Sequence, residues 1–279
     1  MSAAEGGPVV STVPDEAPRA STGASALSRR VLRGALQVVP LAILFGLWEY
    51  VSRSSDTLAV MLPPPSEVVK AAVALLREGS LQRDIFASLR RVFTALAFAA
   101  GIALPLGLVM GMSKKLAWFF EPIVGFFRPI PPLAWIPLSI VWLGVSEAQN
   151  EFIIFLGAFF PILLNSVQGV RQVDPQLVRA ARTLGASPLS IALTVLIPGA
   201  LPSIFVGFRV GIGIAWMALV AGEIVAASSG LGFLIMQGRQ LFRPDYIIVG
   251  MVVIGLIGLG LDWCMRTLQK VVMRWELEP

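Results

Sequence analysis

The stretch Asp174-Pro175-Gln176-Leu177-Val178-Arg179-Ala180-Ala181-Arg182-Thr183-Leu184-Gly185-Ala186-Ser187-Pro188-Leu189-Ser190-Ile191 is a polar island in a strongly apolar chain. Asp174 suits a helix N-cap, and Pro175 suits the first helical position, where its missing N–H costs nothing. Leu177, Ala180, Ala181 and Leu184 then fall on one helical face. Gly185 is placed to end that helix in a left-handed turn, and Ser187-Pro188 repeats the cap-and-proline start for a second helix. Two short helices joined at a glycine stand between hydrophobic segments. Such a piece either rests on a membrane surface or offers its small-residue apolar face to another protein.

The rest of the chain settles the class. Of 279 residues, 56% are hydrophobic and only 14% charged, and the mean hydropathy is +0.79. A soluble domain carries about 25% charged residues, so this composition excludes a soluble enzyme and a disordered chain and indicates an integral membrane protein. The 26 glycines and 20 prolines are tolerated in membrane helices. The net charge is +5, but no run of basic residues is longer than a pair, which fits cationic loops that orient helices and not a nucleic-acid surface. Cys264 is the only cysteine, so no intrachain disulfide can form. Histidine is absent. That removes Ser-His and Cys-His catalysis, the HExxH zinc site and histidine proton relays.

Residues 1–27 are small, polar and proline-bearing, and read as a disordered cytoplasmic tail. Ser28-Arg29-Arg30-Val31-Leu32-Arg33 precedes an apolar stretch and hints at a twin-arginine signal, but no small-residue cleavage site follows, so a retained first span is expected. A spanning helix needs about 20 apolar residues. Six segments qualify: 34–51, 92–112, 119–143 (interrupted by prolines), 152–170, 199–221 and 246–263. The domain 28–275 is thus expected to be all-α with six transmembrane helices, followed by a cytoplasmic end, 276–279. Basic flanks favour both termini inside. In the connection 53–91, Ser66 is expected to cap a short helix through Arg77, and 81–90 to lie as an amphipathic piece on the outer surface. Residues 171–198 form the cytoplasmic loop that carries the two short helices.

Ala180-Ala181, three residues, Gly185, nine residues, then Val195-Leu196-Ile197-Pro198 resembles the "EAA" loop of ATP-binding cassette (ABC) importer permeases: Glu-Ala-Ala, three residues, Gly, nine residues, Ile, one residue, Leu-Pro. Every spacing agrees; Arg179 stands where the family often has Glu. Three further stretches are similar to the nitrate, sulfonate and taurine branch: Leu62-Pro63-Pro64-Pro65-Ser66-Glu67-Val68, Arg128-Pro129-Ile130-Pro131-Pro132-Leu133-Ala134-Trp135-Ile136-Pro137-Leu138, and Gly207-Phe208-Arg209-Val210-Gly211-Ile212-Gly213-Ile214-Ala215-Trp216. The resemblance covers roughly 35–275. It implies a type I importer permease of the bacterial inner membrane that is not itself an enzyme. No Gly-x-x-x-x-Gly-Lys-Ser/Thr loop is present, so ATP and Mg would be bound by two separate cytoplasmic ATPase subunits. The family pattern further implies a second copy of the permease, a periplasmic or lipid-anchored solute-binding protein, and a coupling role for Leu177, Arg179, Ala180, Ala181, Leu184, Gly185, Ala186, Pro188 and Pro198. The implied cargo is a small anionic nutrient: aliphatic sulfonate or taurine first, then nitrate or bicarbonate, with thiamine-precursor and riboflavin importers as relatives sharing these motifs.

Polar residues within spans are candidates for the translocation path. Arg209 is either an ion-paired structural residue or a cation beside an anion's route. Glu223 is either a solvated residue at the outer end or part of an outer gate. Arg128 with Pro131, Pro132 and Trp135 marks a helix break that either lines the path or simply bends the chain. Asn165 is expected to pair between helices, and Gly107-x-x-x-Gly111 and Gly207-x-x-x-Gly211 to allow close helix contact. An ion-coupled secondary transporter would need more intramembrane acids, and an intramembrane enzyme would need a histidine, a Gly-x-Ser-x-Gly elbow or paired carboxylates.

Overall fold

A computed structural model describes residues 39–40 and 42–273, which are helical almost throughout, with no strand among them. The expected tail 1–27, the start of the first span and the C-terminal end 276–279 lie outside the described residues. The chain divides after Val51 into two units. In the first, residues 42–51 belong to helix α1 (42–53). The second unit contains α2 (Asp56–Met61), α3 (Pro65–Glu78), α4 (Ser80–Met112), α5 (Lys114–Phe127), a 3-10 turn (Pro132–Trp135), α6 (Ile136–Leu143), α7 (Glu147–Gln172), α8 (Pro175–Thr183), α9 (Pro188–Ile191), a π turn (Ala192–Leu196), α10 (Ile197–Ala226), α11 (Leu231–Gln240) and α12 (Pro244–Val272).

Five stretches are long and apolar enough to cross a membrane: Ala59–Glu78, Ser80–Met112, Glu147–Gln172, Pro188–Ala226 and Pro244–Val272; Lys114–Phe127 with Pro132–Leu143, bent by 80°, makes a sixth candidate. Ala59–Glu78 lies in the connection 53–91, where a short helix through Arg77 was expected. Its regular part, α3, has 14 residues, roughly 21 Å at 1.5 Å per residue, and buries only the stripe Val68, Ala71 and Leu75. Ser66 does not cap it. Pro64 holds the cap position with Pro65 at the helix start, and the Ser66 hydroxyl accepts from Arg53 Nη2 at 3.1 Å. The segment 81–90 is not a separate surface helix either. It is the first part of the 33-residue α4, because Leu81, Asp84, Ser88 and Arg91 recur on one face and all are buried.

α7 is the axis of the body, packed along α10 on one side and α4 on the other. Glycine makes both seams close. A Cβ on Gly107 would lie 2.6 Å from Ser166 Cβ and 2.8 Å from the Leu163 carbonyl, and one on Gly111 would lie 2.6 Å from Val170 Cβ. Across the other seam, a Cβ on Gly207 would meet Asn165 Cβ at 2.7 Å, and one on Gly211 the Ala158 carbonyl at 3.2 Å. The two glycine pairs therefore clamp opposite flanks of one helix. Large apolar side chains such as Phe93 and Phe98 of α4 and Leu256, Leu259 and Trp263 of α12 point outward, 57–70% exposed, as lipid-facing groups do.

Gly107→Val should therefore lower stability by about 1–3 kcal/mol through overpacking. Gly213→Ala, whose Cβ would enter open space, should be neutral or slightly stabilising. Thermal unfolding of the two purified variants in detergent checks this contrast.

Candidate functional site

Three features carry chemistry: an exposed helix at one end, a cavity reaching inward from that end, and a buried charge cluster at the opposite end. The exposed helix is α8. Asp174 caps it by accepting from Gln176 N at 2.7 Å. It ends in a double bond pair, Gly185 N to Arg182 O and Ala186 N to Ala181 O, both 3.0 Å, with Gly185 at φ +80°. That is the glycine-dependent C-terminal lock expected from the sequence. Ser187 then accepts from Ser190 N at 3.2 Å to start α9 with Pro188. The second helix is not an independent short element, since α9, the π turn and α10 form one stretch, Pro188–Ala226. The π turn sits just ahead of Pro198, whose ring cannot donate to the Thr194 carbonyl. No residue of α8 is buried. Leu177 and Leu184 are 57% and 87% exposed, Arg179 and Ala180 are exposed, and Ala181 and Ala186 are half-buried.

The cavity, about 810 Å³, lies between α5, α7 and α10. Arg128, Pro131, Pro132 and Asn165 line it; Trp135, Arg209 and Glu223 do not. Trp135 packs instead on Phe127 and Phe152 and against the cluster of Ile136, Ile153 and Ala218. Asn165 does not bridge two helices: its Nδ2 donates to Pro161 O of its own helix at 2.8 Å. The cavity wall runs from Arg171 and Gln172, at the α8 end of α7, to Ile214 on α10, which is roughly 25 Å into the helix at 1.5 Å per residue. Glu121 and Arg171 face each other at 2.9 Å. The Arg128 side chain has no hydrogen-bond or ion-pair partner among the described residues, while its backbone N donates to Val124 O at 2.9 Å.

Arg209 faces away from the cavity, onto α12. Its Nε donates to Asp262 Oδ1 at 2.7 Å, and Arg266 holds the other oxygen at 2.8 Å. The Arg209 and Asp262 side chains are 44% and 36% exposed. Asp262 was not anticipated, although it lay inside the segment 246–263.

Glu223 is the larger correction. It is neither solvated nor near water but fully buried. Arg91 Nη1 donates to Glu223 Oε1 at 2.6 Å and to Ser229 O at 2.7 Å. Its other face makes a two-pronged pair with Glu147, Nη2 to Oε1 at 2.6 Å and Nε to Oε2 at 2.7 Å. Ser88 donates to both Glu223 oxygens, at 2.7 and 3.0 Å, and Gly232 N donates to Oε2 at 2.8 Å. Leu231 N donates to Ser88 Oγ and Gly230 N to Asp84 Oδ1. Gly230 has φ +117°, and a Cβ there would overlap the Glu223 carboxylate. Arg91, Glu147, Asp84 and Ser88 went unnoticed in the sequence; a glutamate followed by Gly230-x-Gly232 was the signal available.

A family model described as the binding-protein-dependent transport system inner membrane component matches residues 103–275. The chain is 40% identical over 241 residues to a probable ABC transporter permease of Brucella abortus, covering 86% of this chain and 95% of that one. It is 34% identical over 257 residues to the taurine transport system permease TauC of Escherichia coli, covering 90% and 92%. To the nitrate import permease NrtB of Synechocystis it is 32% identical over 258 residues, covering 89% and 92%. A chain of the MetNI methionine ABC transporter, solved in inward-facing conformations, shares the fold: TM-score 0.55, 24% identity, 67% of this chain and 95% of that chain covered.

Removing one member of a buried ion pair strands its partner and costs about 3–5 kcal/mol, whereas an exposed pair contributes about 0–1 kcal/mol. Arg91→Gln should therefore destabilise the protein severely. Arg90→Gln, which breaks only the half-exposed contact to Glu147 at 2.9 Å, should be nearly silent. Thermal denaturation followed by size-exclusion chromatography distinguishes them.

Proposed function

This chain belongs to the binding-protein-dependent transport inner-membrane component family of ABC permeases, and from that premise we propose that it imports a small anionic nutrient by alternating access, with aliphatic sulfonates and taurine first and nitrate second. A permease of this family forms the membrane path, while ATP hydrolysis belongs to a separate ATPase subunit and substrate arrives on a binding protein. In our reading ATP and its magnesium stay on two such ATPases, and two copies of this chain pair around the path. The domain 28–275 forms the bacterial inner-membrane body, the cytoplasmic loop 171–198 couples it to the ATPases, and both termini lie in the cytoplasm.

The observation that carries the coupling role is α8. It is capped at both ends, buries nothing, and holds Leu177, Ala180 and Leu184 outward on one face. An apolar side chain 87% exposed at the tip of a rigid helix is well suited to a groove on a partner. Closing of the ATPases would push this helix, and α9 would transmit the push, since it continues into α10 and α10 is clamped to α7. Rigid-body gating follows from that connectivity. The anionic cargo is supported by the relatives named for taurine and nitrate and by Arg128 in the cavity wall.

Leu184→Glu should prevent assembly with the ATPases or uncouple them, because it puts a charge into an apolar contact. Gly185→Asp should do the same by straining a backbone held at φ +80°. Both variants should insert and purify normally. Transport by reconstituted complexes should fall at least about tenfold, while ATP hydrolysis stops responding to the loaded binding protein. Wild-type transport by both would remove the coupling role from α8. A thermal-shift screen of the cognate binding protein should give its largest shift with a sulfonate; a shift with an uncharged vitamin alone would overturn the anion reading.

A further inference from the structure

The charged groups around the cavity are unequal in a way that names a ligand. Glu121 and Arg171, at its α8 end, neutralise one another at 2.9 Å. Gln172 at the same end is held by Ser203, whose hydroxyl donates to Oε1 at 3.1 Å. Among the described residues of the wall, only Arg128 is left uncompensated, and Glu121 is the only carboxylate. Arg128 caps α5 at the 80° break, where the following Pro129-Ile130-Pro131-Pro132 cannot continue the helix. Around it the wall is mostly hydrocarbon, including Ile130, Pro131, Leu156, Phe160 and Ile214.

We propose that Arg128 binds the anionic head of the transported solute inside the permease, and that the cavity prefers an organic anion with an aliphatic tail to a zwitterion or a bare inorganic anion. This rests on the import function proposed above. The guanidinium gives two parallel N–H donors to a tetrahedral or planar oxyanion. The apolar wall takes the tail, which a nitrate ion lacks. A primary ammonium, such as that of taurine, finds no free carboxylate, because Glu121 is already paired with Arg171. Butanesulfonate fits all three conditions, whereas nitrate lacks the tail and taurine carries the unmatched ammonium.

The test uses the whole complex, with its ATPase and cognate binding protein in proteoliposomes. Arg128→Gln should lower 1-butanesulfonate uptake per ATP hydrolysed by about tenfold or more, as loss of a charge-assisted contact predicts. Arg128→Lys should recover part of it. A readout independent of transport uses the thiol introduced by Gln168→Cys, on the cavity wall, in a chain also carrying Cys264→Ser. Maleimide labelling of that thiol in the resting complex should be slowed by 1-butanesulfonate at millimolar concentration, less by taurine or nitrate, and not at all when Arg128→Gln is added. Equal uptake per ATP by wild type and Arg128→Gln, or equal protection with and without the arginine, would overturn the proposal. A wild-type complex that neither transports sulfonate nor responds to its binding protein would overturn the import function itself, a result distinct from either of these.

Discussion

The pair formed by Arg91 and Glu223 governs the end of the molecule opposite α8. Both side chains are fully excluded from solvent, 2.6 Å apart. Charges so placed are tolerated only if every remaining donor and acceptor is satisfied. The chain meets that demand from four elements at once: Ser88 of α4, Glu147 of α7, Ser229 of the loop after α10, and the Gly232 amide of α11. Satisfying the charges therefore also ties the four elements together. It dictates the loop sequence as well, because the carboxylate fills the space where a side chain at 230 would stand and its Cβ the space at 232.

The opposite end is built on another principle. There the helices meet through small residues, with Gly111 against Val170 and Gly169 against Ala200, and no buried ion pair is present among the described residues. Glycine seams bring the helix backbones close together, whereas a multidentate charge cluster fixes distance and angle between side chains. One end is thus pinned while the other encloses a cavity and carries the exposed α8. Such a body suits motion driven from the α8 side.

Local signals were legible in the sequence and distant ones were not. The α8 segment was readable because its cap, its proline and its terminating glycine lie within a dozen residues and act on backbone alone. Five of the six expected spans, from 92–112 to 246–263, were readable by hydropathy, and the glycine pairs by their spacing. Arg91 and Glu223 were opaque because 132 residues separate them and each stands at the end of an apolar run, where a lone charge looks like a solvated flank. The segment 81–90 misled for the same reason: its charges suggested a surface, while one of the three, Asp84, points into the cluster. Asp262, 53 residues from Arg209, was hidden in an apolar segment.

Three arginines, Arg91, Arg128 and Arg209, show how the fold handles a charge that costs about 2.5–3.5 kcal/mol to insert at a helix centre. Arg91 is neutralised by Glu147 and Glu223 and sealed off. Arg209 is neutralised by Asp262 while both side chains stay partly open. Arg128 is not neutralised by any described side chain, although an acidic residue, Glu121, stands two turns away on the same helix and is engaged by Arg171 instead. A chain that supplies acids to two arginines and withholds one from the third leaves the third dependent on water or on a visiting anion. Of these three arginines, Arg128 is the one in the cavity wall.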